Sequence, residues 1–369
     1  MKIIPFYLPQ YHAIRENDEW WGEGFTEWTN VRNARPLYEG HRQPKVPLDD
    51  NYYCLLEDSV KEWQIKIARE NGIYGFCFYH YWFNGKLLLE QPILQYLKNP
   101  ALDFPFCLCW ANPDWTKIWA GKGSEVLIRQ DYSDEADLER HFQFLLPFFR
   151  DERYIREEGK PVFVIYSPEE IPNLKERVDF LRKRIVQEGF PGICLFYQYV
   201  VSAEKEKEIK ALFDYKIRFQ PVHALHEAEA SSGGMKTKLM RAVNDWVQKL
   251  TGIQLSDYLL RVRRTDYDAV WEKILSHTPE DRKEAAGAFV NWDNTPRRGN
   301  AGRVIEGGTP EKFRDYMKKL IRKIKAEYSN EYLFLTAWNE WSEGSYLEPD
   351  KENGYAYLKA LKEAASDDE

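Results

Sequence analysis

The feature that most constrains this chain is the repeated alternation of short apolar runs with amphipathic segments. Eight runs rich in β-branched and aromatic residues recur, at 2–8, 73–80, 106–111, 162–167, 193–199, 215–219, 288–292 and 332–338. They lack polar alternation, as strands buried on both faces should. Helical spacing marks the segments 59–70, 135–149, 169–188, 203–213, 310–328 and 355–365, and Gly72 and Gly189 close two of them. This order predicts an α/β fold, a (β/α)₈ TIM barrel, as a single domain over 1–369. An open doubly wound sheet shares the alternation, but eight strands favour closure. Two long departures interrupt the repeat. Residues 9–52 form a connection loaded with Trp20, Trp21 and Trp28. Residues 223–286 read as a helical insertion or lid, with helical stretches at 239–250 and 259–274 and a Ser231-Ser232-Gly233-Gly234 hinge.

In a closed parallel barrel the chemistry gathers at the carboxyl ends of the strands. Polar and aromatic residues fall there in this chain: Tyr7, Tyr11 and His12 after the first run, then His80, Tyr81 and Trp82, then Trp110 and Asn112. Tyr166, Trp292, Asp293 and Asn339 follow, and the last run ends in Glu340, Trp341 and Glu343. The two glutamates are three residues apart, which on a continuing strand would send them to opposite faces. If the strand ends near Glu340 and turns through Ser342 and Gly344, both carboxyls enter one cleft. Two such groups, one protonated and one ionised, are what glycosidic bond cleavage requires. Aromatic residues make up 15% of the chain, with 13 Trp and 23 Tyr, many beside Asn, Asp, Glu and Gly. That mixture suits the flat apolar faces and hydroxyl rims of sugars.

Other classes have less support. A net charge of -7 without a basic cluster argues against nucleic acid and anionic membranes. No run approaches the ~18 apolar residues of a membrane span, so no membrane insertion is expected. The odd set of Cys54, Cys77, Cys107, Cys109 and Cys194 lies mostly in apolar runs, as buried reduced thiols do, and no leader pattern opens the chain. A cytoplasmic protein is expected. No CxxC pair exists, and the order His223, His226, Glu227, Glu229 matches no common zinc pattern. Neither a metal nor a cofactor is expected, and no Gly-rich phosphate loop is present. His41, His141 and His277 read as surface residues.

Longer motifs carry a family resemblance. They are Phe6-Tyr7-Leu8-Pro9-Gln10-Tyr11-His12, Trp21-Gly22-Glu23-Gly24-Phe25-Thr26-Glu27-Trp28-Thr29-Asn30-Val31, Phe78-Tyr79-His80-Tyr81-Trp82-Phe83, Trp110-Ala111-Asn112, Asn291-Trp292-Asp293-Asn294-Thr295-Pro296 and Trp338-Asn339-Glu340-Trp341-Ser342-Glu343-Gly344. The chain resembles the WbsX-type proteins, which are similar to the endo-α-mannanases and endomannosidases of glycoside hydrolase family 99. The resemblance implies a (β/α)₈ barrel, retention of configuration and no metal. It implies that Glu340 acts as base on the sugar 2-hydroxyl, which attacks C1 to give a 1,2-anhydro intermediate. Glu343 would then be general acid and, in the second step, general base. The hydrolases carry His where this chain has Ser342. WbsX-type proteins are associated with bacterial lipopolysaccharide and O-antigen biosynthesis and are labelled glycosyltransferases.

The leading expectation is therefore a retaining glycoside hydrolase or transglycosylase acting on α-linked bacterial polysaccharide, with an oligo- or polysaccharide as partner. Trp21, Trp28, Tyr81, Trp110 and Trp292 would be stacking platforms, and Asn112, Asp293 and Asn339 would bind hydroxyls. A glycosyltransferase and a non-catalytic carbohydrate-binding protein are the alternatives.

Overall fold

The structure, a computed structural model, describes residues 1–116, 125–200, 202–231 and 261–366. Eight parallel strands form its centre: β1 (Lys2–Tyr7), β2 (Phe76–Phe83), β3 (Phe106–Trp110), β4 (Lys160–Ile165), β5 (Cys194–Tyr197), β6 (Tyr215–Ile217), β7 (Glu284–Phe289) and β8 (Tyr332–Thr336). Each pairs with its sequence neighbour. β1 pairs with β8 at Lys2↔Tyr332 and with β2 at Phe6↔Cys77, so the sheet closes into a barrel. A helix follows each strand: α1 (Asp58–Glu70), α2 (Gln91–Lys98), α3 (Ala136–Arg150), α4 (Leu174–Gln187), α5 (Ala203–Leu212), α6 (Tyr267–Ser276), α7 (Pro310–Glu327) and α8 (Ala356–Ser366). This is the expected (β/α)₈ architecture.

The barrel interior is aromatic. Phe6 stacks on Tyr79 at 5.5 Å and on Phe334 at 5.6 Å, and meets Phe219 edge-on at 5.9 Å. These rings form a packed floor beneath the cleft at the carboxyl ends of the strands. Cys77, Cys107, Cys109 and Cys194 are buried, and all five cysteines are free thiols.

Three expectations are corrected. The seventh strand is Glu284–Phe289, not 288–292. Its Ala-Ala-Gly-Ala stretch has poor strand propensity and opens on a charged residue, yet it is wholly buried. Gly287 is required because a Cβ there would lie 1.7 Å from the carbonyl oxygen of Arg218, the residue after β6. Trp292–Asp293 instead joins a small separate sheet with Arg303–Glu306 and Arg263–Asp266. The expected helix 259–274 breaks into that strand and then α6, whose start is capped by the Asp266 side chain accepting from the Ala269 N–H at 2.9 Å. The helix 169–188 begins only at Leu174, after a separate 3₁₀ turn at Pro168–Glu170. Within the segment 223–286, the stretch 232–260, with the expected helix 239–250, lies outside the described residues; a helix Val222–Ser231 precedes it.

Candidate active site

β8 stops at Thr336, and the chain then folds back on itself. Asn339–Glu340 pairs antiparallel with Ser345–Tyr346 around a 3₁₀ turn, Trp341–Glu343, that closes on Gly344. Gly344 has φ +60, and a Cβ there would meet the Asp293 nitrogen at 2.8 Å, so only glycine fits both the turn and its neighbour. The tight turn brings Glu340 and Glu343 into one cleft of about 460 Å³ at the mouth of the barrel. Asn339 holds the start of this turn by accepting from the Leu8 N–H at 2.8 Å and donating to the Leu8 carbonyl at 3.0 Å.

Arg297 joins the two glutamates. Its guanidinium donates to Glu340 at 3.2 Å, to Glu343, and through Nε to Glu27 at 2.8 Å. Arg297 comes from the short helix Thr295–Arg298 after β7, and Glu27 from the helix Glu27–Asn33 in the first long connection. Glu27 is fully buried, and its second oxygen has no hydrogen-bond partner. Burial pushes its pKa up, against the pull of Arg297. Glu340 is 8% exposed. Burial raises its pKa to about 8, with Glu343 and Glu27 adding to the rise and Arg297 opposing it. One cation among three carboxylates cannot neutralise them all, so a proton is retained in the cluster near neutral pH.

The cleft walls are aromatic: Trp21, Tyr79, Tyr81, Trp115, Tyr166 and Trp292. Trp115 meets Tyr81 edge-on at 5.0 Å and Trp20 at 5.8 Å. Among the described residues no cluster of three His, Cys, Asp or Glu side chains is arranged to hold a metal ion, and no helix is long and apolar enough to cross a membrane.

Residues 3–361 match the family described as Glycosyltransferase WbsX. The chain belongs to this WbsX family. Two curated relatives, each described as uncharacterized protein WxcX from a strain of Xanthomonas campestris pv. campestris, are 35% identical over 98% of the chain. The chain spans about half of their length, 49% in each case. The structure is similar to the GH99 endo-alpha-mannosidase from Bacteroides thetaiotaomicron, with a TM-score of 0.55 and 14% identity over 98% of this chain and 96% of that one. It is likewise similar to a glycoside hydrolase-like protein, with a TM-score of 0.57 and 13% identity over 98% and 93%. At this identity the likeness is one of fold.

In this WbsX-family chain the sequence-derived residues divide into two groups. Trp21, Tyr81, Tyr166, Trp292, Glu340 and Glu343 line the cleft. The others do not reach it. β2 continues through Phe83, so its alternation continues too: Tyr79 and Tyr81 face the cleft while His80 and Trp82 face α3. There the His80 and His141 Nε2 atoms approach at 2.9 Å, Trp82 stacks on His141 and donates to Asp137 at 2.9 Å, and Trp110 donates to the Trp82 carbonyl at 3.2 Å. Burial lowers the His80 pKa to about 3. Asp293 alternates away from Trp292 in the same manner. It accepts from Gln43 at 2.7 Å and from Thr295 Oγ1 at 2.6 Å, and meets His41 Nε2 at 2.8 Å. Burial works against ionisation there, but these bonds hold its pKa below the usual value. Tyr7 points outward to Gln64 at 2.6 Å. Tyr11 and Trp28 pack together at 4.7 Å, and Trp28 donates to the Tyr53 carbonyl. His12 is buried with Nδ1 3.1 Å from the Pro9 carbonyl. Asn112 exchanges hydrogen bonds with the Ser167 backbone, and Asn339 with Leu8. Most of these polar groups are held by the protein, although His12 Nε2 and His80 Nδ1 have no hydrogen-bond partner among the described residues. His41 and His141, expected at the surface, are buried.

Sequence reasoning missed Arg297 and the role of Glu27. Glu27 sits inside a quoted motif and Arg297 directly follows one, beside Arg298. Ser342 is fully buried and does not line the cleft.

Proposed function

We propose that this chain is a retaining glycosidase, or a transglycosylase using the same groups, that acts on α-linked bacterial polysaccharide. The observation that carries the reading is the Glu340–Glu343 pair bridged by Arg297 at the floor of an aromatic cleft. In the first step Glu340 takes the proton of the sugar 2-hydroxyl. The freed oxygen attacks C1, and Glu343 gives its proton to the departing glycosidic oxygen. In the second step Glu343 takes a proton from the water that attacks C1, and Glu340 returns its proton to O2. Two inversions at C1 leave the anomeric configuration retained. A pKa of about 8 makes Glu340 a better base for a weakly acidic hydroxyl than an ordinary carboxylate. Arg297 holds both carboxylates in place and opposes the rise in the Glu340 pKa.

The roles have opposite pH signatures. With Glu340 as base, kcat/KM rises with pH and levels off near 8. With Glu340 as acid, it falls through the same point.

A second reading is favoured by the family's own description as a glycosyltransferase. The same cleft would then pass the sugar to an acceptor hydroxyl rather than to water. The experiment is incubation with α-linked mannosyl, glucosyl and rhamnosyl oligosaccharides, with the first-formed anomeric proton followed by NMR. Retention of the anomer, absent in Glu340→Gln and Glu343→Gln, supports the glycosidase. Transfer from a sugar nucleotide with no cleavage supports the transferase. Near-full turnover by either variant removes the role of the pair.

A further inference from the structure

Cations are unevenly placed around the cleft. Arg297 is engaged by three carboxylates. Its neighbour Arg298 lines the same cleft, is exposed, and has no carboxylate partner among the described residues. Two more arginines stand close to it. Arg263 and Arg303 are opposite each other in the parallel ladder between Arg263–Asp266 and Arg303–Glu306. The ladder therefore sets two like charges on neighbouring strands, roughly 4.8 Å apart along the backbone. Glu229 is their shared counter-ion: Arg303 contacts it, and Arg263 lies 3.7 Å from the same oxygen. Among the described residues, this one carboxylate serves both arginines. Burial and the charges of Arg303 and Arg298 lower the pKa of Arg263, with Glu229 opposing. Arg264, next in the strand, is different, because Glu306 neutralises it at 2.7 Å. Asp114, which follows β3, is another charged residue of the lining. Among the described residues, the arginines around Arg298 are a locally basic group at a cleft whose lining also holds Asp114, Glu340 and Glu343.

We propose that Arg298, backed by Arg263 and Arg303, forms a subsite for an anionic substituent, a carboxylate or phosphate, on a sugar unit beside the one that is cleaved. The proposal rests on the cleft being a glycan site and names the class of glycan. A guanidinium presents paired N–H donors that match an oxyanion. A locally basic group is also what an acidic polymer needs in order to enter a chain whose net charge is -7. The like charges held together by the ladder are relieved when an anion binds between them.

The test is calorimetric binding to the full chain carrying Glu343→Gln, which removes turnover. The probes are two matched pairs: α-1,4-linked trigalacturonate against its carboxyl-reduced form, and an α-mannosyl trisaccharide with and without a 6-phosphate. One anionic probe is expected to bind about tenfold more tightly than its neutral partner, the size of one charge-assisted contact, and which pair shows the difference identifies the substituent. Raising the salt from 50 mM to 500 mM should shrink the advantage. Arg298→Ala in the same background should abolish it, and Arg298→Lys should keep part of it. Equal binding within both pairs, or an advantage that survives Arg298→Ala, overturns the subsite. Neutral probes that bind while anionic ones gain nothing defeat this inference alone. Failure of every probe to bind defeats it together with the glycan reading.

Discussion

Glu340 and Glu348 stand eight residues apart, on either side of Trp341, and both are buried carboxylates with raised pKa values. Burial takes Glu340 to about 8 and Glu348 to about 7. Their surroundings differ. Glu348 receives hydrogen bonds from Gln64 at 2.6 Å, Trp341 Nε1 at 2.6 Å and Tyr53 at 2.8 Å. Both of its oxygens are occupied by neutral donors, and it lies behind the turn, away from the cleft. Glu340 lines the cleft, is held by one arginine and is repelled by two carboxylates. A shifted pKa is common to both; a place in the aromatic cleft beside two other carboxylates belongs to Glu340. The lesson is that a displaced titration marks a buried acid, while its partners decide whether that acid can react.

The largest expected contrast is in rate. Glu340→Gln should lower kcat by about 10²–10⁴-fold with the fold intact, as loss of a proton-transfer group does; circular dichroism and steady-state kinetics on the same sample check this. Glu348→Gln should retain much more activity. If Glu348→Gln is the more damaging for catalysis, the comparison is reversed. Arg297→Lys should come next, with a loss of about 10²-fold, because an ammonium cannot bridge three carboxylates as the guanidinium does. Its pH profile should shift upward too, since Arg297 lowers the Glu340 pKa.

Stability should reverse the order. Glu348→Gln replaces one acceptor oxygen by an N–H₂ in a site filled by three donors, among them the donor-only Trp341 indole N–H, and should cost about 1–3 kcal/mol in urea unfolding. Gly344→Ala should cost about 1–2 kcal/mol from its left-handed backbone, and more where the new Cβ presses on Asp293. Stability should also depend on pH. Both glutamates bind a proton more tightly folded than unfolded, where the value is 4.5. Their contribution to stability is complete below pH 4.5 and is lost as pH rises through about 7 and 8. Melting temperature should accordingly fall across that window, and Glu340→Gln should flatten the fall.

Much of the barrel was legible because its strands are apolar runs and its helices carry a 3.6-residue stripe. β7 was misplaced because Glu284-Ala285-Ala286-Gly287 has no strand signature, and the close approach of the Arg218 backbone that requires Gly287 is visible only in the fold. The short α2 was missed for lack of length. Within the site, the convergence of Glu340 and Glu343 could be anticipated from Ser342 and Gly344. The sequence pattern misplaces His80, Trp82, Asp293 and Asn339. It ends the second strand at His80 although the strand runs to Phe83, places the seventh at 288–292 although it is Glu284–Phe289, and carries the last to 338 although it stops at Thr336. Residues still in a strand, or already in the next turn, are thereby read as strand ends facing the cleft.

The sequence by itself determined the barrel, the strand ends on which chemistry falls, and the glutamate pair, because these follow from periodicity and local turn chemistry. Only the tertiary structure decided that Arg297 and Glu27, 270 residues apart, meet at that pair, and that most of the candidate polar residues are already bound within the wall. Long-range pairing depends on strand register and barrel closure, and no local pattern encodes those.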